Sequence, residues 1–325
     1  MSNRALLHLL RPFEAQLSRP SVTEIVVNEV GRFGVEDAGA WSWQEDARLT
    51  LNHLDAIGVL AGFISNREFS PERPLCSATL PAGERIMCCR PPATHHNVIS
   101  LTIRKPSERI MLIDDDDFDV MFDGTNRHAP RGVSVDEELA SLWRNESWKE
   151  FFRRAVQKRK SIGVCGPTGG GKTSFLRRLL MVIQPTDRIV TMEDTSEFGN
   201  AGPLNRVNLF FGEERANLKC DDTRRAALRM RPDRIIVQEV RGGEAMGFLQ
   251  ALASGHSGMT SWHANEGGEW EALAMMVRQH DAGQAVPPDE MYAFLKQFID
   301  IIVWAAKEDR GYKVPRVWLK GVSEQ

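Results

Sequence analysis

Two regimes of hydrophobic patterning divide the chain. In the first hundred residues short β-like runs alternate with turns: TEIVVNEVGRFGVED (23–37) predicts a hairpin punctuated at Gly31, and NVISLTIRKP (97–106) predicts a further strand. Between them RLTLNHLDAIGVLAGFI (48–64) sets Leu51, Leu54, Ile57, Leu60, Ala61 and Ile64 at helical spacing. Beyond about residue 135 the pattern changes. SIGVC (161–165), RIVTME (188–193), RIIVQE (234–239), GMTSWH (258–263) and DIIVWAA (300–306) are strand-length runs of β-branched or apolar residues. Several are separated by amphipathic helices: FLRRLLMVI (175–183) places Phe175, Leu176, Leu179, Leu180 and Ile183 on one face, and EAMGFLQALASG (244–255) runs from an acid to a glycine stop. This alternation predicts an α/β unit with a mostly parallel sheet covered by helices, whose ligands sit outside the carboxyl ends of the strands.

The expected organisation is a smaller α+β domain over 1–110, a linker over 111–134 and the α/β domain over 135–325. The linker contains DDDDFDVMFDGTNRHAPRGVS (114–134), acidic, turn-rich and without periodicity, which reads as a solvated loop. A length of 325 residues suits two such units. With 41 basic and 44 acidic side chains the net charge is −3, so nothing global draws the chain to nucleic acid or an anionic membrane. The basic cluster RRAVQKRK (153–160) reads as a solvated helix face, and no aromatic and basic single-strand groove accompanies it. Apolar runs such as IIVWAA (301–306) are far shorter than the roughly 20 residues that cross a bilayer, and MSNRALLHLLRPF lacks the form of a signal peptide, so the expected location is the cytoplasm. Cys76, Cys88, Cys89, Cys165 and Cys220 make no CxxC pair and no even framework, as expected of reduced thiols.

The first strand of the second regime runs into GPTGGGKT (166–173), a match to G-x-x-x-x-G-K-[ST]. In such a loop Gly166, Pro167, Thr168, Gly169, Gly170 and Gly171 wrap an anion, every one of them but Pro167 having a backbone N–H to offer, and the helix opening at Lys172 presents its positive end. Lys172 reaches the β- and γ-phosphates, Thr173 can ligate Mg2+, and Ser174 completes the first turn. An apolar strand before the loop and an amphipathic helix after it are the context the motif requires. Hydrolysis of bound ATP further needs carboxylates for Mg2+ and for water. Glu239 ends one strand run, preceded by Gln238 where a second acid often stands, and Glu193 and Asp194 end another. The segment GHSGMTSWHAN (255–265) carries His256 and His263. Zinc ligation would want a third ligand and closer spacing, but the nearest other histidine is His280 and no cysteine follows Cys220.

Taken in order, GPTGGGKT, IVTMEDTSEF, LRMRPDRIIVQEVRGGEA and GHSGMTSWHAN resemble the four nucleotide-site blocks of the secretion-superfamily hexameric traffic ATPases, closest to the type IV secretion and conjugation branch. The amino-terminal VTEIVVNEVGRFGVE, LPAGERI and SLTIRKPS extend the resemblance over almost the whole chain. It implies a RecA-like P-loop ATPase domain, ATP and Mg2+ as ligands, and a homohexameric ring. The ring would lie beneath an inner-membrane secretion channel, with channel components and partner secretion ATPases as neighbours and no sequence-specific nucleic acid. It further implies that His256 and His263 line the nucleotide site, that Glu239 acts on Mg2+ and the attacking water with Glu193 beside it, and that Arg85 and Arg104 close over the phosphates. Arg229 and Arg231 are candidates for neutralising transition-state charge at the subunit interface. Two positions depart from the family's pattern. Gln238 stands where Gly is usual, which either slows hydrolysis or faces away, and Gly170 stands where Ser is commoner, a change expected only to add backbone freedom. The competing readings are a type IV pilus or type II secretion motor, a nucleic-acid translocase, and a non-hydrolysing scaffold gated by nucleotide.

Overall fold

The computed structural model describes residues 2–106, 136–309 and 311–323. The expected linker, its acidic run and both boundaries of the expected domains lie outside the described residues. Six strands, β1 (Val22–Glu29), β2 (Arg32–Asp37), β3 (Ala40–Glu45), β4 (Leu75–Thr79), β5 (Arg85–Cys89) and β6 (Ser100–Arg104), form an antiparallel sheet in the order β3-β2-β1-β6-β5-β4. Gly31, at φ +77, turns β1 into β2 as the hairpin pattern predicts. The helix Leu51–Ile64 starts at Thr50, whose side chain accepts the His53 N–H at 3.2 Å, and buries Leu54, Ile57 and Ala61. With Leu6, Leu10 and Phe13 these residues cover Ile25, Val27, Val35 and Leu101 as one core.

The second sheet has seven strands: β7 (Ile162–Gly166), β8 (Ile189–Glu193), β9 (Arg206–Phe210), β10 (Arg234–Val237), β11 (Ser257–His263), β12 (Ile301–Glu308) and β13 (Gly311–Leu319). Their order is β13-β12-β7-β11-β10-β8-β9, parallel throughout except for β12 against β13. Both faces are covered, which is why the strands read as continuous apolar runs rather than alternating ones. Ile235 and Val237 point into a core shared with Phe248, Leu249 and Leu273, while Ile236 points into another with Phe151, Leu176 and Leu180. Gly163 is required by packing, because a Cβ there would lie 2.3 Å from the buried Trp262 ring.

One buried cation ties the two sheets together. Arg188, fully buried just before β8, donates Nε to the Met230 carbonyl at 2.7 Å. Its Nη1 donates to Asn28 Oδ1 at 3.0 Å and Asn205 Oδ1 at 2.5 Å, and its Nη2 to Thr102 Oγ1 at 3.1 Å. Asn28 and Thr102 belong to the first sheet. Arg231, whose backbone is left-handed at φ +52, adds an ion pair to Glu36 of β2 and lies over the Trp41 ring.

Glu24 on β1 sits beside this junction, 2% exposed, with Arg104 Nε 3.5 Å from its Oε1 and no hydrogen-bond partner for Oε2 among the described residues. Burial pushes its carboxyl up to about 7 from an ordinary 4.5, against the pull of Arg104, Arg188 and Arg231, while Glu36 adds a smaller upward push. The native state therefore holds more protons than the unfolded chain between about pH 4.5 and 7, and stability falls as pH rises through that window. The full cost above the window is roughly 3 kcal/mol at 1.36 kcal/mol per pKa unit. Glu24→Gln is expected to raise the urea midpoint at pH 8 and to change it little at pH 5. An equal effect at both pH values would contradict a charged Glu24 at neutrality.

Candidate functional site

The loop leaving β7 is shaped by what lies beneath it. Gly166, at φ +144, has the Ala305 carbonyl of β12 where a side chain would stand, 2.0 Å from an ideal Cβ. Gly169 and Gly171 take left-handed φ values of +74 and +86. Gly170 does not, yet a Cβ there would fall 2.6 Å from the Ala305 carbonyl oxygen and 3.0 Å from that of Pro167. Glycine at 170 is thus a steric requirement of this chain, which corrects the expectation that it merely adds backbone freedom. The helix Lys172–Leu180 opens directly from Gly171 with no side-chain cap, leaving its first N–H groups facing the loop.

A line of charged groups crosses the carboxyl ends of β7, β11, β10 and β8. Lys172 is 7% exposed and its Nζ donates to the Gly166 and Pro167 carbonyls at 3.2 and 3.1 Å and to His263 Nδ1 at 3.1 Å. Burial lowers its pKa, opposed chiefly by the charge of Glu239. Because Nδ1 accepts from the ammonium, a neutral His263 carries its proton on Nε2, which lies 2.8 Å from Glu239 Oε1. That approach pairs the imidazole with the carboxylate, and no other group among the described residues reaches Oε1. Arg241 Nε donates to Glu239 Oε2 at 2.9 Å, and its guanidinium also pairs with Asp194.

The remaining predicted residues are placed less uniformly. Thr173 is half-buried beside Lys172, and its hydroxyl makes no hydrogen bond among the described residues. Glu193 is fully buried and saturated: Thr191 Oγ1 and Asn208 Nδ2 donate to one oxygen at 2.7 Å each, and the Glu197 and Phe198 N–H groups donate to the other at 3.0 Å each. It pins the loop after β8, and Asp194 is the acid that joins the Glu239 line through Arg241. His256 precedes β11, where its Nδ1 meets the Ala251 carbonyl at 3.3 Å. Since β11 pairs with β7 from Met259↔Ile162 to His263↔Gly166, His256 lies at the opposite end of the sheet, roughly 20 Å from His263 at strand rise. Arg231 is paired with Glu36 and Asp233, a contact that joins the two sheets. Arg85 and Arg104 are cross-strand partners and exposed, with no bond to the cradle among the described residues, and Arg229 is exposed with Nη1 on the Arg225 carbonyl at 3.0 Å. Gln238 is tied to the loop after β8: its Oε1 accepts the Thr195 N–H at 3.4 Å.

Comparison with known proteins fits this geometry. The chain is 39% identical to the type IV secretion system protein PtlH homolog of Bordetella bronchiseptica over 91% of its length and 88% of the relative's. It is 35% identical to the type IV secretion system protein VirB11 of Brucella suis over 95% of its length and 88% of the relative's. The chain belongs to the VirB11/PtlH family of type IV secretion ATPases. The wider family model described as "Type II/IV secretion system protein" matches residues 129–283, which include the cradle, Glu239 and both histidines. The crystal structure of the Brucella suis VirB11 ATPase in complex with sulphate superposes with a TM-score of 0.91 at 33% identity, covering 100% of this chain and 98% of that one. The RecA-like expectation thus holds within a VirB11-type fold. Sequence reasoning missed Arg241. A cation two residues after a candidate base, on the same loop, was the available signal.

Proposed function

We propose that the protein is the ATP-hydrolysing motor subunit of a type IV secretion system, working as a homohexameric ring on the cytoplasmic side of the inner membrane. The observation that carries this reading is the charged line at the strand ends: Glu239 Oε1 stands 2.8 Å from His263 Nε2, and His263 Nδ1 accepts from Lys172 of the cradle. A carboxylate so placed beside the cradle fits a role toward the attacking water or Mg2+. Thr173 and Glu239 are the residues that would hold Mg2+, which when bound would neutralise charge on the β- and γ-phosphates.

In this reading the cradle N–H groups and Lys172 bind the phosphates, and Glu239 takes the proton of the attacking water. Arg241 holds the other carboxylate oxygen, fixing which one faces water. His263, touching both Lys172 and Glu239, couples phosphate binding to the base. Arg85, Arg104 and Arg229 are exposed cations able to close over a nucleotide across a subunit boundary, which would make ring assembly and hydrolysis interdependent. Among the described residues no helix is long and apolar enough to cross a membrane. A nucleic-acid translocase is less well supported, because Arg153, Arg154 and Lys158 pair with Glu150, Glu138 and Asp136.

The test is phosphate release per subunit across a wide range of protein concentration, with Lys172→Ala as blank. Specific activity is expected to rise and reach a plateau as neighbours complete the site. A constant nonzero value down to concentrations at which light scattering reports monomer would exclude shared sites, and activity equal to the blank would exclude the ATPase reading.

A further inference from the structure

The β12–β13 hairpin reaches beyond the sheet it closes. β12 pairs with β7 from Ile301 to Trp304 and then continues past the cradle as a two-stranded ribbon, in which Lys307 faces Tyr312 and Glu308 faces Gly311. The Tyr312 ring lies on the last glycine of the cradle: a Cβ at Gly171 would stand 2.7 Å from Cδ1, 3.1 Å from Cγ and 3.2 Å from Cε1. The ring is nevertheless 64% exposed. An aromatic ring left this open, with one side on a glycine, makes no ring stack or cation contact among the described residues, so its stacking surface is unused there. The ribbon that carries it also supplies the Ala305 carbonyl against which Gly166 and Gly170 are fitted, so ring and cradle share one frame.

We propose that Tyr312 is the nucleobase platform of the site, receiving a purine against its open surface while the cradle holds the phosphates. The proposal rests on the nucleotide reading of the cradle and adds what lies beyond the phosphates. Stacking on an aromatic ring tolerates any base with a π-face, so the platform contributes affinity for nucleotides as a class and favours large purines over pyrimidines. The exposed position also means that truncating the ring removes little packing.

Calorimetric binding of Mg-ATP and of Mg-tripolyphosphate, which has the phosphates and no base, separates platform from cradle. On the full chain, Tyr312→Ala is expected to weaken ATP about tenfold, the scale of one base–aromatic stack, and to leave tripolyphosphate unchanged. Tyr312→Phe is expected to match the parent for both. Equal weakening of both ligands would reduce the ring to a brace for Gly171 and overturn the proposal, as would unchanged ATP binding in Tyr312→Ala. A parent protein that binds neither ligand would instead overturn the nucleotide reading itself, and the platform with it.

Discussion

Glu239→Gln should leave ATP binding near its parental value and lower hydrolysis by about 10² to 10⁴, the range expected when a positioned general base is removed. The substitution keeps the shape and the hydrogen bond to Arg241 but cannot take a proton from water. Lys172→Ala should behave differently, losing nucleotide affinity because it removes the buried ammonium that the loop carbonyls and His263 hold in place. The comparison with Glu193 sharpens the expectation. All four donors around Glu193 are protein groups, so Glu193→Gln would turn an amide N–H toward other N–H groups and disturb the fold of the β8 loop before it changed proton transfer. Equilibrium binding and steady-state phosphate release on the three variants read these effects separately. A Glu239→Gln protein turning over within threefold of the parent would place the base elsewhere.

Arg188→Ala is expected to cost about 3–5 kcal/mol, because several buried neutral acceptors lose a charged donor at about 1–3 kcal/mol each. Four acceptors would lose a donor, Asn28 and Thr102 of the first sheet included, and among the described residues only Asn205 Oδ1 would keep another, from Asn28 Nδ2. Burial lowers the Arg188 guanidinium to about 10, still charged at neutral pH, so the loss is of a cation as well as of volume. Arg188→Lys should recover part of the stability, because one ammonium cannot span acceptors on both sheets as a guanidinium does. Urea unfolding would show the loss, and amide exchange should rise first at β1 and β6. A loss below about 1 kcal/mol would mean that Arg188 contributes little to joining the sheets.

The central strands of the second sheet were legible because each is buried on both faces and therefore apolar in sequence. β13 was not. Gly311–Leu319 carries Lys313, Pro315 and Arg316, and its burial begins only at Val317. Proline and charge are tolerated there because the strand lies at the edge of the sheet. The cradle and Glu239 were readable because local spacing encodes them. The environments of Gly170 and Arg231 were not, because each depends on a group far along the chain, Ala305 for the first and Glu36 for the second, and that of Glu193 depends on how the loop after β8 folds back and on Asn208 of the neighbouring strand. Arg188 was hidden for a related reason. A charged residue opening an apolar run reads as a solvated strand end, and only its partners from the first sheet reveal a buried cation.

The Ala305 carbonyl beneath the cradle also bears on the order in which the protein matures. β12 follows every other parallel strand of its sheet, yet it pairs with β7 and supplies the floor against which Gly166 and Gly170 are fitted. During synthesis the amino-terminal sheet and most of the second sheet emerge while β7 is still an open edge and the loop above it has nothing to rest on. The nucleotide site is then among the last parts to form, so a nascent chain stays silent toward ATP until the hairpin closes beside β7.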